Sequence, residues 1–301
     1  MKLNFTGKGT GVALVTPFLN NGEIDFAGLE KITHSVIAGG VDYIVALGTT
    51  AEVVTLKKEE RAAVLKCITN VNQNRVDVVI GIGGNNTFEL LETFETTDFS
   101  GISGILSVTP YYNKPTQQGL LAHYQSLAKN APKPIILYNV PGRTACNLLP
   151  QTAIELAKST DKIIGIKEAS GNIQQVMELL VQKPAHFTVL SGDDNLNFSI
   201  LALGGEGVIS VSANAFPKLV SQLAKNALNG NWELARSIHY QLFELTNALF
   251  EQGNPAGIKA VLAQMGFCEP TVRLPLVKAD DVLFAKLKKL TETALTSANP
   301  I

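Results

Sequence analysis

The 301-residue sequence predicts an α/β protein, a (β/α)8 barrel followed by a C-terminal helical appendage. Three observations carry that expectation. Strand-like apolar segments recur eight times at intervals of roughly 20–33 residues, and segments of helical period separate them. No Gly-x-Gly-x-x-Gly follows the first strand, as it would in a doubly wound dinucleotide-binding sheet. After about residue 231 the strand signals stop, so residues 1–230 are assigned to the barrel and 231–301 to the appendage.

In chain order, "GVALVTPF" from Gly11 is the first strand, and Asp25 signals the start of the helix "FAGLEKITHSVIAGG". "YIVALGTT" from Tyr43 is the second strand, followed by the helical "KKEERAAVLKCITNVN". "VDVVIGIG" from Val76 is the third, and Asn86 with Glu89 three residues on opens the next helix. "GILSVTP" from Gly104 and "PIILYNVP" from Pro134 are the fourth and fifth, with the helical "LLPQTAIELAKS" after the fifth. "IIGIKEAS", residues 163–170, is the sixth; its β-branched run without polar alternation suits a parallel strand covered on both faces. "NIQQVMELLVQ" then forms a helix, "FTVLSGDD" from Phe187 and "GVISVSAN" from Gly207 complete the set, and Pro217 begins another helix. Three further helices are expected in "NWELARSIHYQLFELTNALF", "PAGIKAVLAQMG" and "ADDVLFAKLKKLTETALT", with apolar faces too small for an independent core.

Composition narrows the function. A net charge of −1 provides no basic field for nucleic acid or an anionic membrane, so a small-molecule ligand is expected. Cys67, Cys146 and Cys268 are widely spaced and odd in number, which suggests neither a disulfide framework nor a structural zinc site. The opening "MKLNFTGKGTGVALVTPF" does not read as a signal peptide, and nowhere do 18 apolar residues run together. A cytoplasmic location is expected.

Chemistry in such barrels sits where the strands end. The residues there are Thr16 and Pro17, Thr49, Thr50 and Glu52, Gly83 and Gly84, Tyr111 and Tyr112, Tyr138 and Asn139, Lys167 and Glu168, Gly192 to Asp194, and Ser210. Lys167 closes an otherwise apolar strand. It either snorkels to water, pairs with an acid, or serves as an amine nucleophile, since a neutral amine attacks a carbonyl to form a Schiff base. Tyr138 ends the neighbouring strand, within reach of a proton transfer at that carbon, although a half-buried strand tyrosine is the plainer use. Thr49 and Thr50 either cap a helix or bind a carboxylate. A metal is not expected: His34, His123 and His239 fall in helical segments, His186 precedes the seventh strand, and Asp193 with Asp194 suits a helix start. Phosphate is disfavoured too, because "SVSAN" after the eighth strand lacks a glycine loop.

Five motifs in order, "GTTAE" (48–52), "VTPYYNKP" (108–115), "YNVPGRT" (138–144), "GIKEASGN" (165–172) and "SGDD" (191–194), resemble the dihydrodipicolinate synthase and N-acetylneuraminate lyase family, from about residue 9 to the C-terminal helices. The resemblance implies a Schiff-base aldolase on a barrel, with pyruvate held as a covalent imine on Lys167 and no other cofactor. Tyr138 would be the acid/base, and Thr49 and Tyr112 would complete its proton relay, Tyr112 reaching in from the partner of a tight dimer. Thr50 and the main chain at Gly192 and Ile209 would hold the pyruvate carboxylate. Arg143 would bind that of L-aspartate 4-semialdehyde, the acceptor whose condensation yields 4-hydroxy-tetrahydrodipicolinate for lysine and diaminopimelate biosynthesis. A homo-oligomer, a dimer of dimers, is implied.

The family's other branch, lyases of sialic or 2-keto-3-deoxy sugar acids, uses the same lysine, but a guanidinium in "NVPGRT" suits a small carboxylated aldehyde better than a polyol. A non-catalytic keto-acid-binding barrel would have little use for Lys167, Tyr138, Thr49, Thr50 and Arg143 together. Ala51 stands where the family usually has glycine, harmless if that residue is helical or extended and strained if its φ is positive. Asn85, Glu89 and Tyr111 match positions that bind lysine in feedback-inhibited members. Lys58 and Arg61, however, stand where sensitive members tend to carry histidines, which predicts weak or absent inhibition.

Overall fold

The computed structural model describes residues 5–296; the first four residues of the opening stretch and the last five of the predicted appendage lie outside them. Among the described residues, β1 (Gly9–Ala13), β2 (Tyr43–Ala46), β3 (Asp77–Gly81), β4 (Gly104–Val108), β5 (Ile135–Asn139), β6 (Ile163–Glu168), β7 (Thr188–Ser191) and β8 (Gly207–Ser210) form one closed barrel in sequence order. All pairings are parallel, and β8 closes on β1.

The intervening helices are α1 (Phe26–Ala38), α2 (Lys58–Asn72), α3 (Thr87–Thr96), α4 (Gln117–Asn130), the short α5 (Pro141–Thr144), α6 (Pro150–Ser159), α7 (Ile173–Gln182), the short α8 (Asn197–Ala202) and α9 (Pro217–Leu228). Their start signals act as the sequence expects. The Asp25 carboxylate accepts the Gly28 N–H at 2.8 Å, Asn86 accepts that of Glu89 at 3.4 Å, and Pro217 occupies the first turn of α9, where its missing N–H costs nothing. The appendage is α10 (Trp232–Phe250), α11 (Ala256–Gln264) and α12 (Asp281–Thr296). It packs on the barrel rather than standing apart: α10 lies against α9, and every residue of α11 from Ala256 to Leu262 is buried.

Two apolar layers result. One lies between strands and helices; the other fills the barrel interior with Phe5, Tyr43, Val45, Val79, Leu106, Ile136, Ile164, Leu190 and Ile209. Phe5 and Tyr43 meet edge to face, with centroids 5.5 Å apart, in the lower part of that interior. Tyr138 belongs to the same cluster at the carboxyl end of β5.

One irregularity decides where the sixth strand aims its lysine. Ile135 pairs with Ile163, but Ile136 pairs with Gly165, so the ladder skips Ile164. Because side chains alternate along a strand, an extra residue reverses which of them face inward. Gly165 and Lys167 are thereby matched with Ile136 and Tyr138, whose side chains fill the barrel interior.

Candidate active site

Lys167 and Tyr138 are register partners on β6 and β5. Both are buried, 5% and 6% exposed, and the Lys167 Nζ lies 4.2 Å from the centroid of the Tyr138 ring. Among the described residues the Lys167 Nζ has neither an ion pair nor a hydrogen bond, so neither snorkelling nor pairing with an acid accounts for it. Gly192, just beyond β7, lies against its stem: a Cβ there would come within 2.8 Å of Lys167 Cγ and Cε and 2.9 Å of Ala169 Cβ. Only glycine permits that approach. The Gly192 N–H is committed to the Glu168 carbonyl at 2.8 Å, which leaves its carbonyl for a ligand. Ile209 is buried in the barrel interior.

The next residue on each strand fastens the pair from behind. Asn139 and Glu168 are register partners, and the Asn139 Nδ2 donates to Glu168 Oε2 at 3.1 Å and to Asn147 Oδ1 at 2.8 Å. Glu168 also accepts from the Ser170 N–H at 2.7 Å and from Gln175 Nε2 at 3.0 Å, while Asn139 Oδ1 accepts the Leu148 N–H at 2.9 Å. A buried network with its members paired resists displacement of either strand end.

"GTTAE" folds as a 3-10 turn over Thr49–Ala51. Neither threonine caps it. Thr49 is exposed, whereas Thr50 is buried and its Oγ1 accepts from Asn254 Nδ2 at 2.9 Å. Ala51 has a negative φ; the left-handed residue is Glu52, at φ 53°, so alanine is accommodated without strain. Glu52 is itself buried and held from the appendage: Lys259 Nζ donates to its Oε1 at 2.6 Å and the Arg273 N–H to its Oε2 at 2.9 Å. Lys259, fully buried, also donates to the Thr271 carbonyl at 2.9 Å and sits 4.0 Å above the Phe18 ring. Burial pushes the Lys259 pKa down, against the opposing pull of Glu52. The Arg273 guanidinium holds the Glu60 carboxyl at about 2, chiefly by hydrogen bonding.

Arg143 is exposed on α5, and its guanidinium carries neither an ion pair nor a hydrogen bond among the described residues. Tyr111 is 36% and Tyr112 90% exposed, and Tyr112 has a φ of +64°, an uncommon conformation for a bulky residue. Within the chain no hydrogen bond links Thr49 or Tyr112 to Tyr138 among the described residues. Asn85 donates through Nδ2 to the Tyr111 carbonyl at 3.3 Å, and Glu89 is exposed on the first turn of α3. Lys58 and Arg61 are exposed on α2, where Arg61 Nε donates to the Leu56 carbonyl at 3.0 Å.

The aspartates of "SGDD" have structural work. Asp193 caps the 3-10 turn Asp194–Leu196, and Asp194 Oδ2 accepts the N–H groups of Val211 and Ser212, each at 2.8 Å. Burial pushes the Asp193 carboxyl pKa up. Among the described residues no three of His, Cys, Asp and Glu gather as metal ligands would. His34, His123 and His239 lie on α1, α4 and α10, and His186 precedes β7. His123 receives or donates a 2.8 Å bond between Nδ1 and Thr87 Oγ1, and burial lowers its pKa to about 4.

Asn254, Lys259 and Arg273 were not legible as contributors to the site. One signal was available: the α11 sequence "AGIKAVLAQ" has apolar or small neighbours on every side of its lysine, which marks a buried cation in need of an anion. Asn147 and Gln175 carried no comparable mark.

The model of the dihydrodipicolinate synthetase family matches residues 6–294. A 4-hydroxy-tetrahydrodipicolinate synthase from Flavobacterium psychrophilum is 48% identical over 284 residues, 94% of this chain and 97% of the relative. One of the same name from Parabacteroides distasonis is 45% identical over 94% of this chain and 95% of its own length. Among solved structures, the chloride-inhibited dihydrodipicolinate synthase from Acinetobacter baumannii complexed with pyruvate superimposes with a TM-score of 0.93 at 38% identity, covering 96% of this chain and 99% of that one.

Proposed function

From the premise that the chain belongs to the dihydrodipicolinate synthetase family, we propose that it condenses pyruvate with L-aspartate 4-semialdehyde to 4-hydroxy-tetrahydrodipicolinate. The observation that carries this reading is the buried Lys167 amine, without polar partner, over the Tyr138 ring at the carboxyl end of the barrel. That is where a Schiff-base nucleophile and its proton carrier belong.

The Lys167 amine attacks C2 of pyruvate, and Tyr138 delivers the proton with which the C2 hydroxyl leaves as water. Loss of a C3 proton from the resulting imine gives an enamine, which attacks the aldehyde carbon of the second substrate. The substrate's own amine then adds to C2 and displaces Lys167, closing the ring and freeing the enzyme. The covalent imine is the electron sink, so these steps call for no metal or other cofactor.

Thr50, with the main chain at Ile209, holds the pyruvate carboxylate; Gly192, whose N–H is taken by the Glu168 carbonyl, offers a carboxylate no donor and serves by leaving room for the Lys167 stem, and the unpaired Arg143 guanidinium holds the carboxylate of the semialdehyde by a bidentate pair. Thr49 and Tyr112 complete the relay with Tyr138. Tyr112 does so from the partner of a tight dimer: an aromatic 90% exposed in a strained conformation supports service to a neighbouring copy rather than to its own core. We assign the assembly as a dimer of dimers, the barrel to residues 1–230 and the appendage to 231–301. Among the described residues no helix is long and apolar enough to cross a membrane, and the biosynthetic reaction suits the cytoplasm. Lysine, the end product of such a pathway, is a weak inhibitor or none, because Lys58 and Arg61 repel it near Asn85, Glu89 and Tyr111.

Borohydride reduction tests the chemistry. With pyruvate it should fix an adduct on Lys167, lost in Lys167→Ala, and adding the semialdehyde should yield the cyclic product; an adduct on another lysine would overturn the assignment.

A further inference from the structure

We propose that Asn254 is a positioning residue that turns the Thr50 hydroxyl into an obligatory donor to the keto-acid carboxylate, so that the C-terminal appendage sets the preference for an ionised substrate. The inference rests on the reading of the site as pyruvate-binding.

A hydroxyl has one proton to donate and two lone pairs to accept with. Asn254 Nδ2 donates into Thr50 Oγ1 at 2.9 Å, and the two residues are 6% and 2% exposed. An O–H cannot be directed along a lone pair already occupied by an incoming N–H. Among the described residues no acceptor takes the Thr50 proton, so it is left for a ligand. A carboxylate, which only accepts, is the ligand that such a donor favours, and hydrogen bonds to charged groups are the stronger kind.

The tie is held at two points. Thr50 and Glu52 stand two residues apart on the turn; Asn254, two residues before α11, and Lys259, in its first turns, stand five apart. Thr50 is bonded to Asn254 and Glu52 to Lys259 at 2.6 Å, while the Arg273 N–H occupies the second Glu52 oxygen. With both ends of the turn fastened to the appendage, the amide of Asn254 meets Thr50 in one orientation. The Asn254 Oδ1 has no partner among the described residues, so what the side chain contributes here is its N–H.

Adduct formation under borohydride, followed by mass spectrometry on the full chain, measures this without the second substrate. Pyruvate is compared with methyl pyruvate, which offers the same ketone and no carboxylate. Asn254→Asp cannot donate, and its carboxylate would take the Thr50 proton; half-saturating pyruvate should rise ~10–100-fold. Asn254→Ala frees the hydroxyl to rotate, for a smaller rise, and neither variant should alter trapping of methyl pyruvate. Thr50→Val should weaken pyruvate selectively, and adding Asn254→Ala to it should cost nothing more.

If Asn254→Asp does not fold, the alanine and valine variants carry the same comparison. An aspartate variant equal to wild type would mean that Thr50 donates to the amide, and the proposal falls. Equal loss for both ketones, or additive loss in the double variant, would mean a merely structural role and overturn it as well. A wild-type chain that fails to trap pyruvate on Lys167 would instead bring down the reading of the site, and this inference with it.

Discussion

Tyr138 and Lys167 are matched across two strands, and behind them Asn139 and Glu168 are matched in the same way, one pair facing the barrel and the other bonded into the surrounding polar network. The phenol can therefore be changed with little effect on the frame that carries it. Tyr138→Phe should leave the unfolding midpoint nearly unchanged and slow turnover ~10²–10⁴-fold, the usual worth of a positioned acid or base. A rate within twofold of wild type would place the proton carrier elsewhere. His123 gives a prediction of a different kind. It is 7% exposed, and burial lowers its pKa from 6.5 to about 4. The unfolded chain thus binds a proton there before the folded one does, so the stability present above pH 6.5 is lost as pH falls toward 4, by roughly 2–3 kcal/mol. Thermal melts across that interval should show the decline, and His123→Gln should flatten part of it.

At the scale of elements, α11 is joined to the turn after β2 by one buried ion pair. Removing a single partner leaves the other charge uncompensated: Lys259→Met should cost about 3–5 kcal/mol in urea unfolding, and Glu52→Gln added to it should restore much of the loss. If Lys259→Met unfolds at the wild-type midpoint, the pair does not hold the turn. The regular elements themselves were legible in the sequence. Each apolar run became a strand, and Asp25, Asn86 and Pro217 opened helices as their chemistry requires, because those signals are local. Lys167, Tyr138 and Thr50 were legible through the same logic, as polar residues where strands end. The skipped Ile164 was not, since an unpaired residue in a ladder depends on the neighbouring strand and leaves no mark on its own. The short α5 under Arg143 was hidden likewise: four residues are too few for a period to show. Asn254 and Lys259 act over more than 200 positions of sequence, 204 and 207, where spacing says nothing.

The whole molecule extends beyond one chain if Tyr112 serves a neighbour's lysine, and complementation measures that. Lys167→Ala and Tyr112→Phe should each be nearly inactive alone, yet mixing and reassociating them should restore about a quarter of wild-type activity, because half of the random dimers pair the two variants and each such dimer has one intact site. No recovery in a mixture that demonstrably exchanges subunits would confine each site to a single chain. Regulation has its own test: if Lys58 and Arg61 repel lysine as proposed, millimolar concentrations should leave initial rates close to those without it, since each cation would cost the ligand roughly 1–4 kcal/mol at ~4 Å, and half-inhibition below a millimolar would contradict that. The Glu52–Lys259 tie also has a bearing on how the chain is made. Glu52 leaves the ribosome 207 residues ahead of its counter-ion, an interval of roughly 10–40 s at ordinary rates of synthesis. The six strands from β3 to β8 emerge within that wait, so a barrel can begin to form around a turn whose acid still needs water. A message that ends early, before α11 is translated, therefore yields a chain whose Thr49–Ala51 turn is not fastened. A turn laid down beside the second strand is thus completed only by residues made long after it.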